Sequence, residues 1–331
     1  MKHRDSRLDD SRAAGTLQRR ELLRGAAALV AAGVGAGGAQ RAAAQTTADD
    51  AKWFPGFRTE NVATDGAVIH AVIGGQGPPV LLLHGAPQSH VSWHKVAREL
   101  ARDYTVVAAD LRGYGDSSKV QGSATHVEYS KRVMAADQVA VMRHFGFERF
   151  SVVGHDRGGR VTHRMALDHP NRVDRAAVLD IIPTHYHYTH VTKEFAESAY
   201  HWFFYSRPTP FPETVIANSL ESFVGRGAGE LGPEYLRAFR VPGTLHAMCE
   251  DYRAGASIDL THDEADQHRK IACSLLVLWG EQGAVAGRYD ALAIWGARGE
   301  RVTGRQMPGG HSFQETHPAE TATELRAFLR A

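Results

Sequence analysis

The sequence predicts an α/β fold, a mostly parallel sheet flanked by helices with a helical cap inserted into it, on three observations. From Trp53 onward short apolar runs alternate with amphipathic stretches, the pattern of strands buried on both faces between covering helices. One of these runs, Phe150 to Val153, ends in Gly154-His155-Asp156-Arg157-Gly158-Gly159-Arg160, after which Val161 to Leu167 continue at helical spacing. Between Asp180 and about Ile271 the alternation stops, and aromatic-rich segments punctuated by Pro208, Pro210 and Pro212 take over.

The elements follow in order. Val68 to Ile73, Val80 to Leu83 and Thr105 to Ala109 read as successive strands, the first entering antiparallel, and Lys131 to Phe145 as a helix. Phe150 to Val153 and Ala176 to Leu179 are buried strands, Leu275 to Trp279 and Arg301 to Gln306 the last ones, and Pro318 to Arg330 the closing helix. The expected plan is a core of residues 45–182 and 271–331 with a cap of residues 183–270. A cap there covers the carboxyl ends of the strands, where open α/β sheets place their ligands.

The turn at Asp156 is a nucleophile elbow. Only small residues fit two positions either side of its apex, hence Gly154 and Gly158, in a pattern that usually presents serine. Here the presented group is a carboxylate, which can displace a leaving group from carbon and hold the product as an ester for water to cleave. On this architecture the acid and the histidine follow the nucleophile in the chain. Asp180 closes an apolar strand, and His311 sits in the loop Met307-Pro308-Gly309-Gly310-His311. Asp180 would orient His311, and His311 would take a proton from the water that attacks the ester. The strand before His84-Gly85-Ala86-Pro87 aims the Ala86 amide at the nucleophile, and the Arg157 amide completes an expected oxyanion hole. Arg157 and Arg160, three apart at a helix start, form a corner suited to a small carboxylate-bearing ligand.

These residues carry a resemblance. From about Phe54 onward the chain resembles the α/β-hydrolase haloacetate dehalogenases, the fluoroacetate dehalogenases in particular. The matching segments are Gly154 to Arg160, Leu179-Asp180-Ile181-Ile182-Pro183-Thr184, Tyr200-His201-Trp202, Met248 to Gly255 and Gly310-His311. The resemblance implies that Asp156 displaces halide from the α-carbon, that Arg157 and Arg160 clamp the substrate carboxylate, and that His201, Trp202 and Tyr252 donate hydrogen bonds to the departing halide. It also brings a homodimer, common among these enzymes, as an expectation. Two departures stand out, and both are expected to reshape the pocket wall. Ala86 occupies a position where phenylalanine is frequent, and Ser312-Phe313 follows His311 where Phe-Leu is common.

Two other readings stay open. An epoxide hydrolase on the same scaffold would use cap tyrosines such as Tyr252 to protonate the opening oxygen, but relatives acting on neutral ligands resemble Gly-His-Asp-Trp-Gly at the elbow. A binding protein that captures small carboxylates without turnover is the reading from outside catalysis.

Composition narrows the partners. The chain has 331 residues, 43% of them apolar, enough for a buried core. Gln18-Arg19-Arg20-Glu21-Leu22-Leu23-Arg24, an uncharged Gly/Ala-rich run to Gln40 and Ala42-Ala43-Ala44 read as a twin-arginine export signal over residues 1–44, giving a periplasmic protein. That run is too short to span a membrane. Beyond residue 44 there remain 30 Lys+Arg against 33 Asp+Glu, a mildly acidic chain whose balance argues against nucleic acid or an anionic membrane as partner. No cofactor is called for. The stretch His185-Tyr186-His187-Tyr188-Thr189-His190 lacks a carboxylate or cysteine at metal-ligand spacing. Cys249 and Cys273 are expected as free thiols.

Overall fold

The computed structural model describes residues 48–225 and 227–331, so the export signal read from residues 1–44 lies outside the described residues. Eight strands form one sheet: β1 (Arg58–Thr64), β2 (Ala67–Gly74), β3 (Pro79–Leu83), β4 (Thr105–Ala109), β5 (Phe150–His155), β6 (Val173–Leu179), β7 (Ile271–Gln282) and β8 (Gly299–Gly310). Their spatial order is β1-β2-β4-β3-β5-β6-β7-β8. β1, β2 and β4 pair antiparallel, and every pair from β4 to β8 is parallel.

The central strands were legible because both faces are covered. Leu81, Leu82 and Leu83 have no solvent exposure, nor have Val152, Val153, Ala176, Ala177 and Val178. β1 was not expected. It is an edge strand in which only Val62 is buried, so its polar sequence carries no apolar run to read. β7 and β8 run well past the segments expected for them and pair with each other to Gln282 and Gly310. That extension carries the chain to His311.

The helix Lys131–His144 starts on Ser130, whose hydroxyl accepts from the Val133 amide at 3.3 Å, and ends with Arg143 and His144 in its last turn, complementing the dipole. Between β6 and β7 a run of short helices extends from Thr184 to Ala265. Tyr235 of this region donates to Glu315 of the core at 2.7 Å, and Arg237 reaches Asp116 at 3.0 Å. Cys249 and Cys273 are free. No helix among the described residues is long and apolar enough to cross a membrane.

Candidate active site

Asp156 stands between β5 and the helix Arg157–Asp168 with φ 46°, a region L residues seldom adopt and that the surrounding packing must enforce. The elbow is tight enough to fix its glycines. A Cβ on Gly154 would lie 2.3 Å from the Gly158 carbonyl oxygen, and one on Gly158 would lie 2.4 Å from that of Leu83. The Gly158 amide then donates to the His84 carbonyl at 2.9 Å, tying the elbow to the loop after β3.

That loop presents the Ala86 amide, which donates to Asp156 Oδ1 at 3.0 Å. No such bond from the Arg157 amide accompanies it among the described residues, so the ground state engages one of the two expected oxyanion donors. Oδ2 faces the other way, 3.9 Å from His311 Nε2. On its far side His311 Nδ1 lies 2.6 Å from Asp180 Oδ2. Asp180 has 1% exposure, and the Gly280 and Ala284 amides donate to its two oxygens at 3.2 and 2.7 Å, leaving it oriented from three directions. The three residues expected as a triad are thus brought together in one row.

Electrostatics follow from burial and neighbours. Burial alone would raise the Asp156 carboxyl, but the neighbouring His311 and the guanidinium groups of Arg157 and Arg160 prevail and hold it well below the usual carboxylate range. Burial lowers His311, yet the hydrogen bond and charge of Asp180 outweigh it and its pKa is raised. His155, fully enclosed and beside His311, is pushed down to about 3 and stays neutral. It is a structural tie, with Nε2 2.9 Å from the His311 carbonyl and Nδ1 3.0 Å from Gln88 Oε1.

The arginines part company. Arg160 lines the cavity above Asp156, its Nη1 held by the Ile182 carbonyl at 3.1 Å and Thr184 Oγ1 at 3.0 Å, its Nε without a partner, and its guanidinium 4.4 Å from the Trp202 ring centre. Burial and Arg157 bring its pKa down to about 10, so it remains charged at neutral pH. Arg157 is placed differently from the sequence expectation of a matched pair. It does not line the cavity, and its Nε and Nη2 form a fork on Asp251 at 2.9 and 2.8 Å, leaving Nη1 without a partner among the described residues. A guanidinium with no solvent exposure requires a counter-ion, and Asp251 supplies it while also bonding Lys131 and the Tyr114 hydroxyl. Sequence reasoning had Asp251 in view, one residue before Tyr252, and missed it because nothing local marks an acid as the partner of an arginine 94 positions away.

His201, Trp202 and Tyr252 all line the same cavity. The Tyr252 ring is edge-on to both, with centres 5.9 and 6.1 Å away. Burial lowers His201 to about 4, and burial beside the Asp156 charge raises Tyr252 well above its ordinary value, so both are neutral at pH 7. Of the two departures noted in the sequence, Ala86 does form cavity wall. Ser312 and Phe313 do not: Phe313 is buried in the core and Ser312 Oγ accepts from Gln88 Nε2 at 3.2 Å. The cavity measures about 450 Å³.

Asp50, His70 and His90 lie close enough to hold a cation, but each spends its ligand atoms on the others. His90 Nε2 is 2.9 Å from Asp50 Oδ1 and His70 Nε2 is 3.0 Å from Oδ2. The set is a closed hydrogen-bond network away from the cavity.

The sequence matches the model of the alpha/beta hydrolase fold over residues 78–318. It is 44% identical to a fluoroacetate dehalogenase of Burkholderia sp over 83% of this chain and 95% of that protein. A soluble epoxide hydrolase of Corynebacterium sp. (strain C12) is 30% identical over 80% of this chain and 96% of its own. A solved structure from Nostoc sp PCC 7120, assigned to the α/β hydrolases, superposes with a TM-score of 0.81 at 50% identity, covering 82% of this chain and 98% of that one. With the fold, the elbow and these likenesses together, the chain belongs to the α/β hydrolase family and, within it, to the group that includes the fluoroacetate dehalogenases.

Proposed function

We propose that the protein hydrolyses short 2-haloacids such as fluoroacetate to 2-hydroxy acids and halide. The observation that carries this reading is a carboxylate nucleophile whose free oxygen, Asp156 Oδ2, faces a cavity walled by the buried guanidinium of Arg160. Arg160 binds the substrate carboxylate and sets the α-carbon over Oδ2, while Arg157, tied to Asp251, adds its positive field to the same corner. Oδ2 attacks that carbon, the carbon–halogen bond breaks, and the halide leaves with the electron pair. His201, Trp202 and Tyr252 meet the forming charge with N–H and O–H donors that carry no charge of their own. The ester carbonyl oxygen is then Oδ1, already at the Ala86 amide, and His311 removes a proton from the water that adds to it. Asp180 stabilises the resulting imidazolium.

Purified protein incubated with fluoroacetate and chloroacetate, with halide measured directly, tests the reading. Release that disappears in Asp156→Asn is expected, and release from neither substrate overturns it. The second reading, an epoxide hydrolase, draws on the Corynebacterium relative and on a Tyr252 phenol that stays protonated and lines the same cavity as the nucleophile. It leaves the cavity-facing charge of Arg160 without a partner, and turnover of a simple epoxide without halide release would establish it. Export through a twin-arginine signal and assembly as a homodimer are proposals that accompany the first reading.

A further inference from the structure

The cavity contains a polar group that the proposed chemistry leaves unused. His187, on the helix Thr184–Thr189 that follows Asp180, lines the cavity with 5% exposure. Its ring lies nearly parallel to the Trp202 indole, 5.0 Å between centres at 10°, and edge-on to Phe195 at 4.9 Å and 71°. Aromatic packing therefore fixes its plane. Neither Nδ1 nor Nε2 has a hydrogen-bond partner among the described residues. Burial keeps the ring neutral, so it offers one donor and one acceptor, and buried groups of this kind are almost always satisfied.

Its neighbourhood says what could satisfy it. His187 shares the cavity wall with Arg160 and Asp156, the carboxylate clamp and the nucleophile. The cavity of about 450 Å³ falls in the range that encloses drug-sized ligands, roughly 300–1,000 Å³, whereas a haloacetate has only a handful of non-hydrogen atoms. Ala86 adds to that room, since it contributes only a methyl group to the wall. Space and an unpaired imidazole occur together in the cavity that Asp156 faces.

Building on the dehalogenase reading, we infer that His187 is a specificity residue for 2-haloacids whose α-carbon carries a short hydroxyl-bearing arm. The hydroxyl donates to one ring nitrogen or accepts from the other, and the displacement is otherwise that of haloacetate: the Asp156–carbon bond forms as the carbon–halogen bond breaks. An arm ending in methyl fills the same space and leaves the imidazole unpaired, which a buried polar site resists.

The test compares chloride release from 2-chloro-3-hydroxypropanoate and its near-isostere 2-chlorobutanoate, with chloroacetate as reference, in wild type, His187→Phe and His187→Gln. Wild type is expected to favour the hydroxylated acid at least tenfold in kcat/KM. His187→Phe, which keeps an aromatic ring against Trp202, is expected to lose that ratio, and His187→Gln, which keeps a donor and an acceptor, to retain part of it. A wild-type ratio near one overturns the inference without recourse to any variant. So does a ratio that His187→Phe leaves unchanged, and in both cases chloride release from chloroacetate shows that the dehalogenase reading itself stands. Absence of chloride from all three acids removes that reading and the inference with it.

Discussion

Asp156 and His311 share one electrostatic design with opposite outcomes. His311, Arg157 and Arg160 keep Asp156 ionised down to strongly acid pH, so the nucleophile does not limit activity on the acid side. His311 does. It works as a base only when neutral, and Asp180 raises its pKa, so the neutral fraction falls as pH drops through a value above the ordinary histidine pKa of about 6.5. The pH profile of kcat is therefore expected to have an acid limb centred above that value. In Asp180→Asn, which removes the charge, the limb should move down while kcat falls on the order of a thousandfold or more, because the imidazolium loses its partner. An acid limb unmoved by Asp180→Asn would contradict the coupling seen at 2.6 Å. His311→Gln separates the two chemical steps: displacement proceeds, hydrolysis stalls, and intact-protein mass spectrometry after incubation with chloroacetate is expected to find a carboxymethyl ester on the peptide containing Asp156. His311 was findable in the sequence because it ends a glycine-rich stretch, Met307 to Gly310, after the strand expected at Arg301 to Gln306. The pairing of Arg157 with Asp251 was not, since a long-range buried ion pair leaves no local trace.

At the scale of elements, the elbow and the cap contribute differently. β3 and the helix Arg157–Asp168 approach so closely that Gly158→Ala must push the Leu83 backbone at 2.4 Å, and urea denaturation is expected to show a loss of about 1–3 kcal/mol, as for overpacked cores. The cap lends His201, Trp202 and Tyr252, and behind them Asp251 compensates both Arg157 and Lys131 with no solvent contact. Asp251→Asn is expected to cost about 3–5 kcal/mol, read as a lower Tm, because it takes the counter-ion from the buried Arg157 and leaves Lys131 with Asp259 alone. Apolar runs announced the central strands. Nothing comparable announced β1, whose residues face solvent, or the placement of β4 between β2 and β3, which depends on pairing partners distant in sequence. The individual cap helices were equally hidden, because short helices built on aromatic clusters lack a clear apolar stripe.

Over the whole molecule, the sheet positions three strand ends so that a nucleophile after β5, an acid after β6 and a histidine after β8 meet at one cavity. That convergence could be anticipated from chain order alone, since the elbow fixes which downstream strand ends matter. The cavity's dimensions could not, because they depend on which side chains turn inward: Ala86 does, Ser312 and Phe313 do not, and His187 does from a histidine-rich stretch with no local sign of its direction. The central claim is that oxygen reaches the product from Asp156 and not directly from water. A single turnover of chloroacetate by excess enzyme in 18O-labelled water tests it most directly, with mass spectrometry of both the hydroxy acid and the Asp156 peptide. The account predicts an unlabelled product hydroxyl and one 18O in Asp156, because water attacks the ester carbonyl. Label in the product hydroxyl with none in Asp156 would mean that water displaces the halide itself, and would contradict it.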